Sequence, residues 1–175
     1  MMFLKRDGIK FHAELDEALA AALPLKAGAA LPRLWEKLAK SRGQVAPGET
    51  HYSFLKPEAE AYSAYYLPAN ALKTALVMEE AHLLGSIAAS DAVWLDLGTG
   101  PGTAFWGLAW WCAKRNRKLA FHGWDQSPVF AELASRISAR SPFGFAPRFS
   151  SGRKEDPLSL ARSISPTHVS FVNSL

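Results

Sequence analysis

Apolar residues recur at helical spacing along residues 11–84, then from residue 93 onward come in short continuous runs separated by turn residues. The first regime predicts helices and nothing else. Residues 11–22 are rich in alanine and leucine until Pro24 and Gly28 intervene, and residues 32–40 carry Leu34, Trp35 and Leu38 on one face. Glycine and proline mark residues 43–50 as a loop. Two prolines in first-turn positions then open two further helices. One runs from Pro57 to about Tyr65, the other from Pro68 to Leu84, with Gly85 ending it.

The second regime alternates. A strand at residues 93–97 leads to a helix at 103–113, and a strand at 119–124 leads to a helix at 128–139. A weaker strand at 145–149 is followed by a helix at 158–163, and the β-rich residues 168–173 close the series. Such alternation implies a parallel sheet with helices on its faces. The chain therefore reads as α/β, a helical N-terminal region (residues 1–89) followed by the first half of a doubly wound, Rossmann-like sheet (residues 90–175). The expected strand order is 3-2-1-4. That order leaves the fourth strand as an edge made of Val169, Phe171 and Val172.

Composition narrows the class only a little. With 175 residues, 49% hydrophobic and 21% charged, the chain is an ordinary globular one, long enough to bury a core. The net charge of +4 leans towards an acidic partner such as RNA. The one cysteine, Cys112, lies in an apolar helix, which excludes a disulfide framework or a cysteine metal site within the chain and points to packing. No apolar run reaches membrane-spanning length, and the early acids Asp7, Glu14, Asp16 and Glu17 argue against a signal or transit peptide. A cytoplasmic protein with no membrane partner is the expectation.

The most informative stretch is Asp96-Leu-Gly98-Thr99-Gly100-Pro101-Gly102-Thr103, where an apolar strand breaks on glycines and restarts as a helix. Glycines at such a turn bring backbone N–H groups close to a ligand with no side chains in the way. Asp125 ends the next strand, at the spacing where a carboxylate reaches the two hydroxyls of an adenosine ribose. Capping the helix that begins at Pro128 is its other reading. A dinucleotide fingerprint would be G-x-G-x-x-G; here the third glycine comes one residue early. Asp96, a charge at the end of a buried strand, needs a partner, and a zwitterionic ligand with an ammonium group supplies one. Thr99 and Thr103 are hydrogen-bonding candidates, Thr103 equally a helix cap, and Gln126 stands beside Asp125.

This D-x-G-x-G-x-G arrangement resembles motif I of the class I S-adenosylmethionine-dependent methyltransferases, with Asp125 in the place of their ribose-binding acid. Upstream, Tyr62-Ser-Ala-Tyr65-Tyr66-Leu-Pro68, together with the glycine turn continuing through Ala104 to Trp106, resembles the narrower Rsm-type methyltransferase-like family. The resemblance covers residues 52–175. It implies S-adenosylmethionine as cofactor, held by Asp96, Gly98, Thr99, Gly100, Pro101, Gly102, Thr103, Asp125 and Gln126. It further implies the small ribosomal subunit or its RNA as partner. Two functions stay open: methyl transfer to that RNA, or assistance in assembling the subunit by a non-catalytic member with the same fold. Members often carry cysteines suited to a metal or an iron–sulfur cluster in a C-terminal part with no counterpart here, so no metal is carried over. The resemblance also implies more strands than the four counted, so the chain is expected to be truncated at its C-terminal end. An isolated chain with that open edge is expected to aggregate and to show no turnover.

The remaining candidates are weighed singly. Tyr62, Tyr65 and Tyr66 suit either a base-stacking face or a core face of one helix. Trp106 and Trp110, one helical turn apart beside Trp111, point to packing against the N-terminal helices. His51, His82 and His122 share no metal-ligand spacing. Lys37, Lys40, Arg42, Lys114, Arg115, Arg117 and Lys118 are either phosphate contacts or a solvated face. Asn173 and Ser174 follow the fourth strand, where many methyltransferases keep a catalytic motif; no role is assigned to them.

Overall fold

The computed structural model describes residues 3–24, 26–41, 54–87, 91–152 and 156–171. The loop expected at 43–50 lies outside them, as do Arg42, His51, Val172, Asn173 and Ser174. Three α-helices come first: α1 (Phe3–Ala22), α2 (Leu31–Ser41), entered through a short 3-10 turn, and α3 (Lys56–Leu83). Strands and helices then alternate as β1 (Ala92–Leu97), α4 (Thr103–Lys114), β2 (Leu119–Asp125), α5 (Pro128–Ser138), β3 (Arg148–Ser151), α6 (Pro157–Ile164) and β4 (His168–Ser170). The strands form one parallel sheet in the order β3-β2-β1-β4, as expected from the sequence. The fold is α/β and compatible with a Rossmann-like arrangement.

Three elements differ from the sequence reading. Helix α1 starts well before residue 11. The two helices expected around Pro68 are one, the 28-residue α3, with Pro68 inside it. A mid-helix proline removes one backbone bond and crowds the carbonyl four residues before it. Continuity is carried instead by side-chain packing, for Leu67, Ala71, Ala75 and Met78 are all buried, and α3 packs against α4. The third strand begins at Arg148, not at 145, and runs to Ser151. Pro147 has no N–H to give a ladder, and the register pairs Arg148 with His122 as its first rung.

One hydrophobic core joins the helical region to the sheet. Phe11 and Leu15 of α1, Leu67 and Ala71 of α3, Phe105 and Trp106 of α4 and Phe121 of β2 belong to the same buried cluster. The closest approach is at Gly107 on α4, where a Cβ would lie 2.4 Å from the Ala71 carbonyl oxygen and 2.7 Å from Thr74 Cβ. Two helices this close need glycine at the crossing. Trp110 packs on Phe11 of α1 and the Trp111 indole donates to Glu79 of α3, so these tryptophans are core, as their spacing suggested. Cys112 is buried beside them, and burial pushes its thiol up to about 11.

The sheet has unequal faces. Trp94, Asp96, Phe121, Gly123 and Phe149 point to the side of α4 and α5, where Phe105 meets both Phe121 and Phe149. The opposite face carries α6, beside which His122, Arg148, Ser150 and Ser163 line an open groove. Among the described residues β4 is one sheet edge, pairing only with β1, as β3 is the other, and Val169 and Phe171 are exposed at β4.

Candidate cofactor site

The sheet order places a topological switch at β1, whose neighbours are β2 on one side and β4 on the other. Ligands of open α/β sheets settle outside the carboxyl ends of strands at such a point. Asp96 lies there, in register with Gly123 of β2 and Ser170 of β4. It is fully buried, and its Oδ1 accepts a 2.6 Å hydrogen bond from the Ser170 hydroxyl.

The turn after β1 uses all three glycines in the left-handed region, with φ of 73° at Gly98, 54° at Gly100 and 86° at Gly102. Their roles differ. A Cβ at Gly102 would meet the Phe149 ring at 3.3 Å, whereas one at Gly100 would meet nothing within 4 Å. Of these two, Gly100 is the one that leaves space open to an approaching molecule. Most of the turn's amides face inward. Gly98 and Thr99 both donate to the Trp124 carbonyl, Gly102 donates to the Thr99 carbonyl, and Gly100 donates to Asp125 Oδ2 at 2.8 Å. The expectation that the glycine amides themselves face a ligand thus gives way to another arrangement. They lock the turn onto the end of β2, and the unpaired N–H groups are those of the first turn of α4. Pro101 is buried within the turn. Thr103 is the first residue of α4 and not its cap, a place taken by Gly102.

Asp125 ends β2, and its second oxygen accepts the Ser127 N–H at 2.8 Å. It is 9% exposed, and burial raises its carboxyl above the usual aspartate value against the opposing pull of the two backbone hydrogen bonds, to Ser127 and Gly100. Its structural work is to tie the glycine turn to the entry of α5, whose N-cap is Ser127. A carboxylate offers about four acceptor positions, so the two amides leave lone pairs free. Gln126 is exposed at the rim. Tyr62 of α3 lies close enough to Asp125 to feel its charge, and burial, then Tyr66 and Asp125, raise its phenol above the usual range. It stacks in a cluster with Phe54, Tyr66 and Phe130. The spacing of the tyrosines could have signalled an α3 contribution to this corner, but gave no way to tell which ring faces it.

Thr99 is 1% exposed, and its hydroxyl, without a hydrogen-bond partner, points towards the space over Gly123. It belongs to the inside of the turn. Five of the candidate phosphate contacts are engaged within the protein, while the side chain of Lys40, like Arg42, lies outside what is described. Lys37 pairs with Glu58 at 2.8 Å, Arg115 with Glu79, and Lys118 with Asp91 at 3.9 Å, while Lys114 and Arg117 lie over the Trp110 and Trp111 rings. His82 packs on Trp111 and His122 lies on the α6 side of the sheet. Among the described residues no group of three or more histidine, cysteine, aspartate or glutamate side chains is gathered as a metal site, and no helix is long and apolar enough to cross a membrane. No protein-family model matches the chain, and no curated protein matches it significantly.

Proposed function

We propose that this chain binds S-adenosylmethionine at the carboxyl ends of β1 and β2 and is a methyltransferase-like protein acting on or with small-subunit ribosomal RNA. The carrying observation is the gathering of a fully buried Asp96, an open Gly100 and the half-committed carboxylate of Asp125 around one turn at the switch point of the sheet. Asp96 takes the ammonium group, directly or through water, which sets an opposite charge beside a buried acid. The first-turn amides of α4 suit the carboxylate of the same methionine end. Asp125 keeps acceptor positions for the ribose hydroxyls, with Gln126 beside it at the rim. The cofactor supplies an activated methyl group on its sulfonium, and the chain's part is to hold that group in line with an acceptor. RNA as the acceptor or partner rests on the net charge of +4 and on the family resemblance.

Isothermal titration with S-adenosylmethionine and S-adenosylhomocysteine tests the binding. Equal affinity in the wild type and in a Gly100→Val, Asp125→Ala double variant would end the proposal. Incubation with small-subunit RNA and cofactor labelled in its methyl group then separates the two functions. Transfer of label marks an enzyme; binding without transfer marks an assembly factor that has kept the fold.

A further inference from the structure

Asp96 does not stand alone at the switch point. Its neighbour across the β1–β4 ladder is Ser170, and two residues before it on the same face of β1 stands Trp94. The Trp94 indole N–H donates to the Ser170 hydroxyl oxygen at 2.7 Å, and that hydroxyl lies 2.6 Å from Asp96 Oδ1. An indole nitrogen can only donate, and a serine hydroxyl has a single proton. Once the hydroxyl oxygen accepts the hydrogen bond from the indole N–H, its own proton is directed to the carboxyl group. The chain therefore has a fixed polarity, from Trp94 through Ser170 to Asp96. The second distance falls in the range of hydrogen bonds to a charged oxygen. Trp94 is itself fixed, for its ring lies flat on His168, with centroids 4.7 Å apart and planes within 1°. Thr167 joins the two strands just below, exchanging hydrogen bonds with both backbone groups of Val93.

We propose that Trp94 and Ser170 are positioning residues that fix the orientation of the Asp96 carboxyl group, so that it meets the ammonium group of an amino-acid-bearing nucleoside in a single geometry. The inference rests on the reading that Asp96 receives that ammonium group. It adds β4 to the site and makes the amino-acid end, not the adenosine, the part of the ligand that this relay recognises. A relay that only pinned β4 to β1 would affect stability and leave ligand discrimination alone.

The test compares S-adenosylhomocysteine with 5′-methylthioadenosine, which has the nucleoside and thioether but no amino-acid end. Affinities are measured by titration for the wild type, Ser170→Ala, Ser170→Thr and Trp94→Phe, with thermal melts alongside. The wild type is expected to prefer S-adenosylhomocysteine. Ser170→Ala should lose about tenfold in affinity for that ligand, the value of roughly one hydrogen bond to a charged group, and keep its affinity for 5′-methylthioadenosine. Ser170→Thr, which retains the hydroxyl, should restore the preference. Trp94→Phe keeps an aromatic ring against His168 but loses the donor, and should move the ratio in the same direction by less; it also serves if Ser170→Ala does not fold. A wild-type preference that survives both Ser170→Ala and Trp94→Phe overturns the relay and leaves the proposed binding intact. A wild type that binds neither ligand overturns the binding itself, and the relay with it.

Discussion

Gly107 and Gly100 lie close together in sequence and are both indispensable on paper, yet their surroundings are opposite. At Gly107 the backbone of α3 fills the space of a side chain, with the Ala71 carbonyl 2.4 Å and the Ala75 nitrogen 2.9 Å from where Cβ would sit. At Gly100 that space is empty to 4 Å, and the demand is only for a φ of 54°. The α3–α4 crossing thus uses glycine to bring two pieces of the protein together. The turn after β1 uses it for a left-handed backbone that leaves the place of a side chain empty. A glycine whose place is filled by backbone points to the fold; empty space alone is shared by Gly85 and Gly144, and at Gly100 it is the position at the switch of the sheet that supports the proposed site.

The difference predicts a series of stability losses. Gly107→Ala should be the most damaging, at about 3 kcal/mol or more by urea denaturation, because a backbone carbonyl cannot move without displacing α3. Alanine's better helix propensity returns only about 1 kcal/mol. A loss below that figure would show that the helices can separate freely. Gly123→Ala stands between the extremes. Its Cβ would meet Phe149 Cδ1 at 2.5 Å and Thr99 Oγ1 at 2.8 Å, both side-chain atoms that can yield, so about 1–3 kcal/mol is expected.

Gly100→Ala sharpens the contrast. Its cost in stability should be about 1–2 kcal/mol, the strain of a left-handed alanine, while affinity for S-adenosylhomocysteine should fall by about tenfold or more, about 1.4 kcal/mol or above. Full affinity in that variant would remove the argument from empty space.

The smallest effect concerns Asp125, which belongs to both worlds by tying the turn down and bordering the site. Burial raises its carboxyl above the ordinary 3.8, against the pull of the Ser127 and Gly100 amides. A carboxyl raised in the folded state favours folding when protonated. Its contribution is whole below 3.8 and is lost as the pH rises through the raised value. The wild type should therefore lose stability relative to Asp125→Asn across that window and hold a constant difference above it. Denaturation of both proteins at steps from about pH 4 to about 7 checks the sign; an unchanging difference would mean that the two amides fully offset burial.

Much of this architecture was legible in the chain. The strands at β1 and β2, the helices that follow them and the positions of Asp96 and Asp125 at strand ends all follow from apolar runs punctuated by glycine and proline. Those signals are local, and local chemistry fixes them. The tryptophans of α4 were also readable as core from their spacing. Pro68 was misleading for the same reason. Taken locally it starts a helix, and only the packing of Leu67 and Ala71 against α4 carries α3 through it.

What the sequence determined by itself was the class of fold and the residues gathered in the candidate site at the switch point. Tertiary structure decided how those residues are used. It turned the glycine amides inward onto Trp124 and Asp125, left Gly100 as the open position, and set Ser170 and Trp94 behind Asp96. The physical reason is that a strand's period and a turn's glycines are properties of neighbouring residues. The partner of a buried carboxylate is a residue 74 positions away in the chain, and parallel pairing of β1 with β4 alone brings it there.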